Sequence, residues 1–293
     1  MRCLLAIFAA TLLVGVASCT HQSTGRTMSA QNGGYAPVNG LNLYYEIHGD
    51  GRAGGGEKPL VLIHGGGSTI ESNWSRVIPL LSRSRKVIAI EEQGHGHTAA
   101  IDRPFTFENS ADDVAALLDY LKIDRADIMG FSNGGNITLR VGLRHPDKVN
   151  KLIAISAMYR HDGMVPGFWD GFKNPDIAMM PEPLKAADRK INPDPKHLQQ
   201  LFDQDVKRMA TFTDWPGADI SGIAAPTLVM VGDHDVVMPE HALKMARLLP
   251  KGRLMIVPGG HGDFLGDCMT NRPDSQAPAA VVKLIEAFLD EDE

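Results

Sequence analysis

The sequence predicts an α/β fold in which a mainly parallel central sheet is flanked by helices. Two observations support this prediction: short apolar runs recur along the chain, and segments with helical spacing separate them. A continuous apolar run is typical of a strand buried on both faces, and successive parallel strands need helical crossovers. The predicted strands of this kind are residues 60–63, 87–90, 126–129, 152–155, 228–231 and 254–257.

The N-terminal segment predicts export from the cytoplasm. Arg2 supplies a positive charge, and residues 4–16 form an apolar stretch that is too short to remain in a bilayer as a spanning helix. The small residues Ala17 and Ser18 follow this stretch. Residues 1–18 are therefore predicted to be a cleaved signal peptide.

The end of this segment resembles a bacterial lipobox, Val16-Ala17-Ser18-Cys19. The resemblance implies cleavage before Cys19 and acylation of its thiol and new amino group, which would anchor a lipoprotein on the periplasmic side of a membrane. The alternative is ordinary cleavage and release as a soluble periplasmic or secreted protein. Residues 19–35 are rich in Ser, Thr, Gly, Gln and Asn and are predicted to be a flexible tether.

Turn signals and periodicity place the other elements. Asn39-Gly40 tolerates positive φ angles and predicts a hairpin turn. Ser110 and Asp113 predict a capping box at the start of a long amphipathic helix. Apolar spacing predicts helices at residues 74–81, about 110–121, through 139–141, about 239–249 and around 281–288.

One long segment, residues 158–223, interrupts the alternation of strands and helices. It is rich in Met, Pro, Phe and Trp and lies between two predicted core strands. We expect it to form an inserted helical cap over the active site, within a single domain that spans residues 36–293. Met179 and Met180 either line a pliable acyl pocket there or only pack the cap.

Composition excludes several classes of function. The formal net charge is −6 and Lys and Arg form no cluster, which argues against a nucleic-acid partner. The three cysteines are too widely spaced for a zinc motif or a disulfide framework. His95 and His97 form a His-x-His pair without a clean set of further ligands, so we expect no metal. Glu91 and Glu92 are expected to be solvated charges.

Residues 130–134 carry a Gly-x-Ser-x-Gly pattern between a predicted buried strand and a predicted helix. This setting is typical of a nucleophile elbow. A serine at such a sharp turn has a strained backbone, and the residues on either side of it press together, which explains the two glycines. Ser132 is therefore the predicted nucleophile. The helix N-terminus directs the Asn133 N–H toward developing negative charge, so Asn133 is the first predicted oxyanion donor.

The other catalytic groups are expected in loops that follow predicted strands. Gly66 lies in a His-Gly-Gly-Gly run and is the second predicted oxyanion donor, because glycine lets the backbone approach a substrate carbonyl closely. A serine hydroxyl needs a base, and His261 follows the last predicted strand. Asp235 is predicted to orient His261. Asp233 is the alternative for that role and is expected to cap the turn instead.

From residue 38 to residue 289 the chain resembles the α/β-hydrolase superfamily. The matching motifs are His64-Gly65, Gly94-His95-Gly96, residues 130–134, residues 232–235 and His261. The resemblance implies an α/β-hydrolase fold with a cap, and a catalytic triad in the chain order Ser132, Asp235, His261. It also implies a serine hydrolase that cleaves a small or medium carboxylic ester through an acyl-enzyme and that needs no cofactor.

Other functions stay open at this point. A carbon–carbon bond hydrolase or a perhydrolase would use the same three residues, and a non-catalytic binding protein would keep the scaffold without the reaction. The expected partner of the main interpretation is a small-molecule ester. The sequence indicates no oligomeric state.

Overall fold

The computed structural model describes residues 32–51, 58–270, 272 and 274–291. Within these residues, eight strands form one sheet in the order β1-β2-β4-β3-β5-β6-β7-β8. The strands are β1 (Asn32–Val38), β2 (Leu41–His48), β3 (Leu60–Ile63), β4 (Val87–Ile90), β5 (Ala126–Phe131), β6 (Val149–Ile155), β7 (Thr227–Gly232) and β8 (Gly252–Val257).

Helices connect most of these strands. The α-helices of the described residues are α1 (Ile70–Trp74), α2 (Ile78–Leu81), α3 (Phe107–Tyr120), α4 (Asn133–Arg144), α5 (Glu182–Ile191), α6 (Pro195–Ala210), α7 (Gly217–Ser221), α8 (Pro239–Leu248) and α9 (Ala277–Asp290). Short 3-10 helices lie at Pro146–Lys148, His161–Gly163, Phe168–Phe172, Ile177–Met179, Asp263–Leu265 and Cys268–Thr270. None of the helices in these residues is long and apolar enough to cross a membrane.

The sheet is parallel from β4 through β8, and β1 and β2 are antiparallel at one edge. This arrangement confirms the predicted mainly parallel sheet. Strand β3 lies between β4 and β5, so the chain winds away from β3 in both directions. Ligands of open α/β sheets bind at the carboxyl ends of the strands, where the winding direction changes. The loops after β3 and β5 therefore flank the expected binding crevice.

Apolar layers cover both faces of the sheet. Ile63 of β3 packs in the layer that includes residues of α3, α4 and α8. Its neighbour Leu62 packs in the opposite layer with residues of α1, α2 and α9. Because successive strand residues point to opposite faces, both must be apolar, which is the pattern that the sequence shows.

The N-terminal hairpin has the predicted turn but begins earlier than predicted. Asn39 and Gly40 have φ angles of 49° and 85°, as a two-residue hairpin turn requires. Strand β1 begins at Asn32, and residues 32–35 pair with β2. The prediction of a tether over residues 19–35 is wrong for these last residues, because backbone pairing at the sheet edge tolerates their glycine-rich sequence. Residues 1–18 and Cys19 lie outside the described residues.

Two helix predictions need correction. The single helix over residues 74–81 is two short helices, because Pro79, the second residue of α2, lacks the N–H that would continue α1. Helix α3 begins after Thr106, whose side-chain oxygen accepts from Asn109 N–H at 3.0 Å. Ser110 therefore starts no capping box with Asp113. It lies inside the helix.

The segment between β6 and β7 contains the residues predicted to form a cap, 158–223. Helices α5 and α6 pack against each other there, while α7 lies against α4 and α8. Met180, Leu184 and Leu198 form a small apolar cluster that is separate from the two sheet layers. This part of the chain thus has its own packing over the carboxyl edge of the sheet.

Candidate active site

Ser132 lies at the turn between β5 and α4. Its φ and ψ angles are 56° and −120°, which non-glycine residues rarely adopt and which cost about 1–3 kcal/mol. Its N–H donates to the Ile155 carbonyl at 2.9 Å and ties the turn to β6. The serine therefore stands at a strained strand-to-helix turn, as the Gly-x-Ser-x-Gly pattern predicts.

The two glycines of this pattern are required by close backbone packing. A Cβ atom on Gly130 would lie 2.0 Å from the Gly134 carbonyl oxygen. A Cβ atom on Gly134 would lie 2.2 Å from the Ile63 carbonyl oxygen of β3. Side chains at either position would force the turn apart, so the sharp turn at Ser132 depends on both glycines.

The structure brings Ser132, His261 and Asp235 together. Ser132 Oγ lies 3.1 Å from His261 Nε2, and His261 Nδ1 lies 2.7 Å from Asp235 Oδ1. Because Nδ1 faces a carboxylate, it carries the proton and leaves Nε2 to accept from the serine hydroxyl. This arrangement has the geometry in which a histidine takes a proton from a serine nucleophile.

Asp235 is buried and fixed by three further donors. The Ser156 hydroxyl donates to Oδ2 at 2.5 Å, and the N–H groups of Gly232 and Val237 donate at 3.3 and 3.2 Å. Burial alone would raise the pKa of Asp235, but the hydrogen bonds from His261 and Ser156 outweigh it and hold that pKa below its usual range. Asp235 is therefore an ionised partner for His261. Ser156 was not singled out from the sequence.

Asp233, the alternative orienting residue, does not bond to His261. Its side chain is exposed, and its Oδ1 accepts from Gly259 N–H at 2.7 Å. This contact closes the loop that carries the histidine. The structure thus places Asp233 as a turn cap and Asp235 beside the imidazole.

The loop after β3 has three successive glycine N–H groups, and two of them are occupied. Gly65 N–H donates to Asn73 Oδ1 at 2.6 Å, and Gly67 N–H donates to Asp205 Oδ2 at 2.7 Å. Within the described residues, the Gly66 N–H has no hydrogen-bond acceptor. This leaves Gly66 as the donor that can bind a substrate oxygen.

Gly66 and Asn133 are close neighbours across the crevice. A Cβ atom on Gly66 would lie 2.5 Å from Asn133 Nδ2, so a larger residue there would displace the Asn133 side chain. Asn133 is the first residue of α4, where backbone N–H groups lack partners inside the helix. Both predicted oxyanion donors therefore lie next to Ser132.

A cavity of about 320 Å³ opens beside Ser132. Its floor is formed by residues of the elbow and of the glycine loop after β3, which we call the oxyanion loop. Residues of the cap segment form its walls. The walls are mainly apolar. The lining residues are Gly66, Gly67, Ser132, Asn133, Phe168, Gly171, Phe172, Met179, Met180, Pro181, Leu184, Phe202, Asp205, Val206 and Met209.

Comparison with known proteins identifies the fold. A family model for the alpha/beta hydrolase fold matches residues 58–179. The crystal structure of the enol-lactonase from Burkholderia xenovorans is similar, with a TM-score of 0.66 and 24% identity, over 88% of this chain and 100% of that one. The chain therefore has the α/β-hydrolase fold. The predicted fold class is thereby confirmed.

Curated relatives of this chain include hydrolases. The chain is 28% identical over 228 residues to 2-hydroxy-6-oxo-2,4-heptadienoate hydrolase from Pseudomonas putida, covering 69% of this chain and 81% of that protein. It is 26% identical over 263 residues to the AB hydrolase superfamily protein YisY from Bacillus subtilis, covering 76% and 90% respectively. These relatives support hydrolase activity in general.

A buried network of charges lies behind the glycine-rich loop that follows β3. Arg208 of α6 is 4% exposed and Glu92 is 3% exposed. The Arg208 guanidinium donates to Glu92 Oε2 at 2.8 Å and to Asp205 Oδ1. Asp205 Oδ2 lies 3.1 Å from His95 Nε2. The network joins the cap segment to the loop after β4, and it was missed in the sequence.

The pKa values of the two histidines near this network are shifted in opposite directions. His95 Nδ1 faces the Gln93 carbonyl at 3.1 Å, and Nε2 faces Asp205 Oδ2 at 3.1 Å, so each nitrogen lies beside an acceptor. Burial lowers the pKa of His95, but the Asp205 carboxylate outweighs it, and the pKa is raised. His64 Nε2 instead accepts from Glu92 N–H at 3.1 Å, and burial lowers its pKa. The Asp205 carboxylate thus favours the protonated form of His95, and burial favours the neutral form of His64.

The expectation that Glu91 and Glu92 are solvated is wrong. They are 1% and 3% exposed, because they follow the buried strand β4 directly at its carboxyl end. Glu91 accepts from His97 N–H at 2.7 Å and from Ile70 N–H at 3.2 Å. Their position after a buried strand was the signal that could have placed them inside.

His95 and His97 lie against carboxylates. His95 contacts Asp205, and His97 Nδ1 lies 2.8 Å from Glu91 Oε2. In the part of the chain that the structure describes, no group of three or more His, Cys, Asp or Glu side chains is arranged to hold a metal ion. The His-x-His pair is therefore accounted for by two separate ion pairs.

Proposed function

We propose that this α/β hydrolase cleaves a small or medium carboxylic ester through an acyl-enzyme. The observation that carries the proposal is the chain of contacts from Ser132 through His261 to Asp235 at the floor of an apolar cavity. Nucleophile, base and orienting acid each have the partner that their chemistry needs. No cofactor is required for this reaction.

In the proposed first step, Ser132 Oγ attacks the ester carbonyl carbon while His261 Nε2 takes the hydroxyl proton. The imidazolium that forms is stabilised by Asp235. The carbonyl oxygen becomes negative and accepts from the N–H groups of Gly66 and Asn133. When this intermediate collapses, the carbon–oxygen bond to the alcohol breaks, and His261 delivers its proton to the leaving alcohol.

In the second step, water attacks the acyl-enzyme in the same geometry. His261 takes a proton from the water and returns it to Ser132 Oγ as the acid leaves. Atoms and charge balance with one water consumed for each ester. The cavity of about 320 Å³ supports an acyl chain of small or medium length, in contact with side chains such as Met180 and Leu184.

A carbon–carbon bond hydrolase is the second candidate. Its support is the 28% identity to the heptadienoate hydrolase from Pseudomonas putida. The same serine, histidine and oxyanion donors would serve that reaction. A substrate panel of p-nitrophenyl esters and dienone acids separates the two, because the ester proposal expects turnover of the esters alone.

Export and lipid attachment at Cys19 remain part of the proposal. Their support is the sequence pattern of residues 1–18 followed by Cys19, which lies outside the described residues. In this proposal the catalytic domain acts on the periplasmic side of a membrane. The soluble periplasmic or secreted form is the alternative.

Replacement of the nucleophile tests the proposed function. We expect Ser132→Ala to lower kcat for p-nitrophenyl butyrate by roughly 10⁴-fold or more and to abolish labelling by a fluorophosphonate probe. Ser221→Ala, which removes an exposed hydroxyl from α7, is the matched control and should keep both properties. Persistent labelling of the Ser132→Ala protein would rule out this nucleophile.

A further inference from the structure

Asp205 is the only charged side chain that lines the cavity beside Ser132, within the described part of the chain. It projects from α6, and its neighbours on the cavity wall include the apolar residues Phe202, Val206 and Met209. A carboxylate in an apolar wall is costly unless it is paired. The ester reaction proposed above does not use it.

Three donors pair with this carboxylate. Gly67 N–H donates to Oδ2 at 2.7 Å, His95 Nε2 lies 3.1 Å from the same oxygen, and Arg208 donates to Oδ1. Burial opposes ionisation of Asp205, but the charges of Arg208 and His95 outweigh it and hold its pKa far below the ordinary range. Asp205 is therefore ionised at neutral pH.

The cations that balance Asp205 are out of reach of a bound substrate. Arg208 is 4% exposed and His95 is fully buried. Neither residue contributes to the cavity wall. Arg208 is also engaged by Glu92 on its other side, at 2.8 Å. A group that enters the cavity thus meets the oxygens of Asp205 before it can reach a positive charge.

We propose that Asp205 selects substrates by the charge of their acyl group. The enzyme then rejects acyl groups that carry a carboxylate and accepts uncharged acyl groups. The inference rests on the proposed ester hydrolysis and adds the charge class of the substrate. In a partly buried site, like charges about 6 Å apart repel enough to lower kcat/KM by roughly a hundredfold. Since Arg208 and His95 offset part of this repulsion, we expect a loss of about tenfold or more.

A pair of esters of equal chain length measures this selection. p-Nitrophenyl hexanoate has an uncharged acyl chain, and p-nitrophenyl hydrogen adipate ends in a carboxylate at neutral pH. We expect the wild-type kcat/KM for the hexanoate to exceed that for the adipate by about tenfold or more. A ratio near one, or a preference for the adipate, would overturn the inference even if no variant could be purified.

Two variants on α6 assign the effect to one carboxylate. Asp205→Asn keeps the side-chain size and removes the charge, and we expect the hexanoate-to-adipate ratio to fall toward one. Asp203→Asn removes the same charge from an exposed position two residues away and should leave the ratio unchanged. The ratio is the decisive readout, because loosening of Gly67 in the Asp205→Asn protein would slow both esters alike.

The possible results separate this inference from the proposed function. Hydrolysis of both esters with an Asp205→Asn ratio equal to that of the wild type would mean that Asp205 only positions the oxyanion loop, and the inference would be lost. Failure of the wild-type protein to hydrolyse either ester, with Ser132 unlabelled by the probe, would remove the proposed function and the inference together. A wild-type preference that Asp205→Asn abolishes supports both.

Discussion

The carboxyl edge of the sheet and the cap segment differ in the contacts that hold their functional side chains. At the sheet edge, backbone groups fix the geometry: Ser132 N–H donates to a carbonyl of β6, and Asp235 accepts from two backbone N–H groups. In the cap, Asp205 and Arg208 are held by charged side chains that come from distant parts of the chain. The proposed chemistry therefore depends mainly on backbone contacts of the fold, whereas the proposed selectivity depends on a few ion pairs between side chains.

This difference predicts where single substitutions act most strongly. Backbone hydrogen bonds persist when a side chain changes, so the sheet edge tolerates the loss of one side-chain contact. A buried ion-pair network loses its balance when one member is removed, because the remaining charges stay buried without a partner. The network that joins the cap to the core should be the more sensitive region.

The largest expected effect on stability follows replacement of Arg208. Arg208→Gln leaves the carboxylates of Glu92 and Asp205 uncompensated in the interior, and we expect the free energy of unfolding to fall by about 3–5 kcal/mol. Urea unfolding followed by circular dichroism measures the loss.

The matched control lies on the neighbouring helix. Arg189 of α5 pairs with Glu182, and both side chains are more than half exposed. Exposed ion pairs contribute little, so Arg189→Gln should leave the unfolding midpoint unchanged. Equal stabilities of the Arg208→Gln and Arg189→Gln proteins would contradict the view that buried charges hold the cap.

The junction between the sheet and the cap should be sensitive to acid. His241 of α8 stacks on Tyr159, and its Nε2 accepts from Tyr159 N–H at 3.2 Å. Burial lowers the pKa of His241 to about 4. In the unfolded chain His241 binds a proton near pH 6.5, whereas in the folded chain it binds a proton only near pH 4. The stability that neutral His241 contributes above pH 6.5 is therefore lost between pH 6.5 and pH 4, by about 3 kcal/mol.

A variant isolates this contribution from other titrating groups. Gln at position 241 can still accept from Tyr159 N–H but takes up no proton. We expect His241→Gln to be less stable than the wild type at pH 7 and to recover relative to it as the pH falls to 4. The exposed His234→Gln serves as the control. A constant difference between wild type and His241→Gln at all pH values would exclude His241 as the acid-sensitive group.

The fold and the residues at the sheet edge could be predicted because local patterns encode them. Continuous apolar runs mark strands buried on both faces. Glycine is required at positions 130 and 134 because a Cβ atom there would lie less than 2.5 Å from a backbone carbonyl oxygen. Loop order along the chain then placed Asp235 and His261. These signals arise from requirements of the local backbone, and such requirements can be recognised in a single sequence.

The cap network could not be predicted because its partners are distant in sequence. Glu92 and Arg208 are 116 residues apart, and no local pattern indicates that the two side chains pair with each other. The start of α3 was misplaced for a related reason. Ser110 has the spacing of an N-cap, but it lies inside α3, and its hydroxyl donates a hydrogen bond to Glu92 Oε2 at 2.9 Å. At Ser110 a tertiary contact overrode the local signal, whereas the cap network consists of tertiary contacts that have no local signal.

The smallest expected effect concerns Ser156, which positions Asp235. Ser156→Ala removes the 2.5 Å hydrogen bond, while the backbone donors to Asp235 remain. We expect kcat to fall by about tenfold with KM unchanged, because roughly 1 kcal/mol of support for the His261 imidazolium is lost.

A glycine at the same position separates the hydroxyl from the backbone. Ser156 has a φ angle of 52°, a conformation that glycine adopts without strain and alanine does not. Ser156→Gly should therefore be more stable than Ser156→Ala in urea, yet both should show the same loss of kcat. If the glycine variant recovered wild-type kcat, backbone strain rather than the hydroxyl would limit the reaction. Equal losses in the two variants would show that the sheet edge also relies on one side chain, and that its robustness comes from the backbone donors that remain.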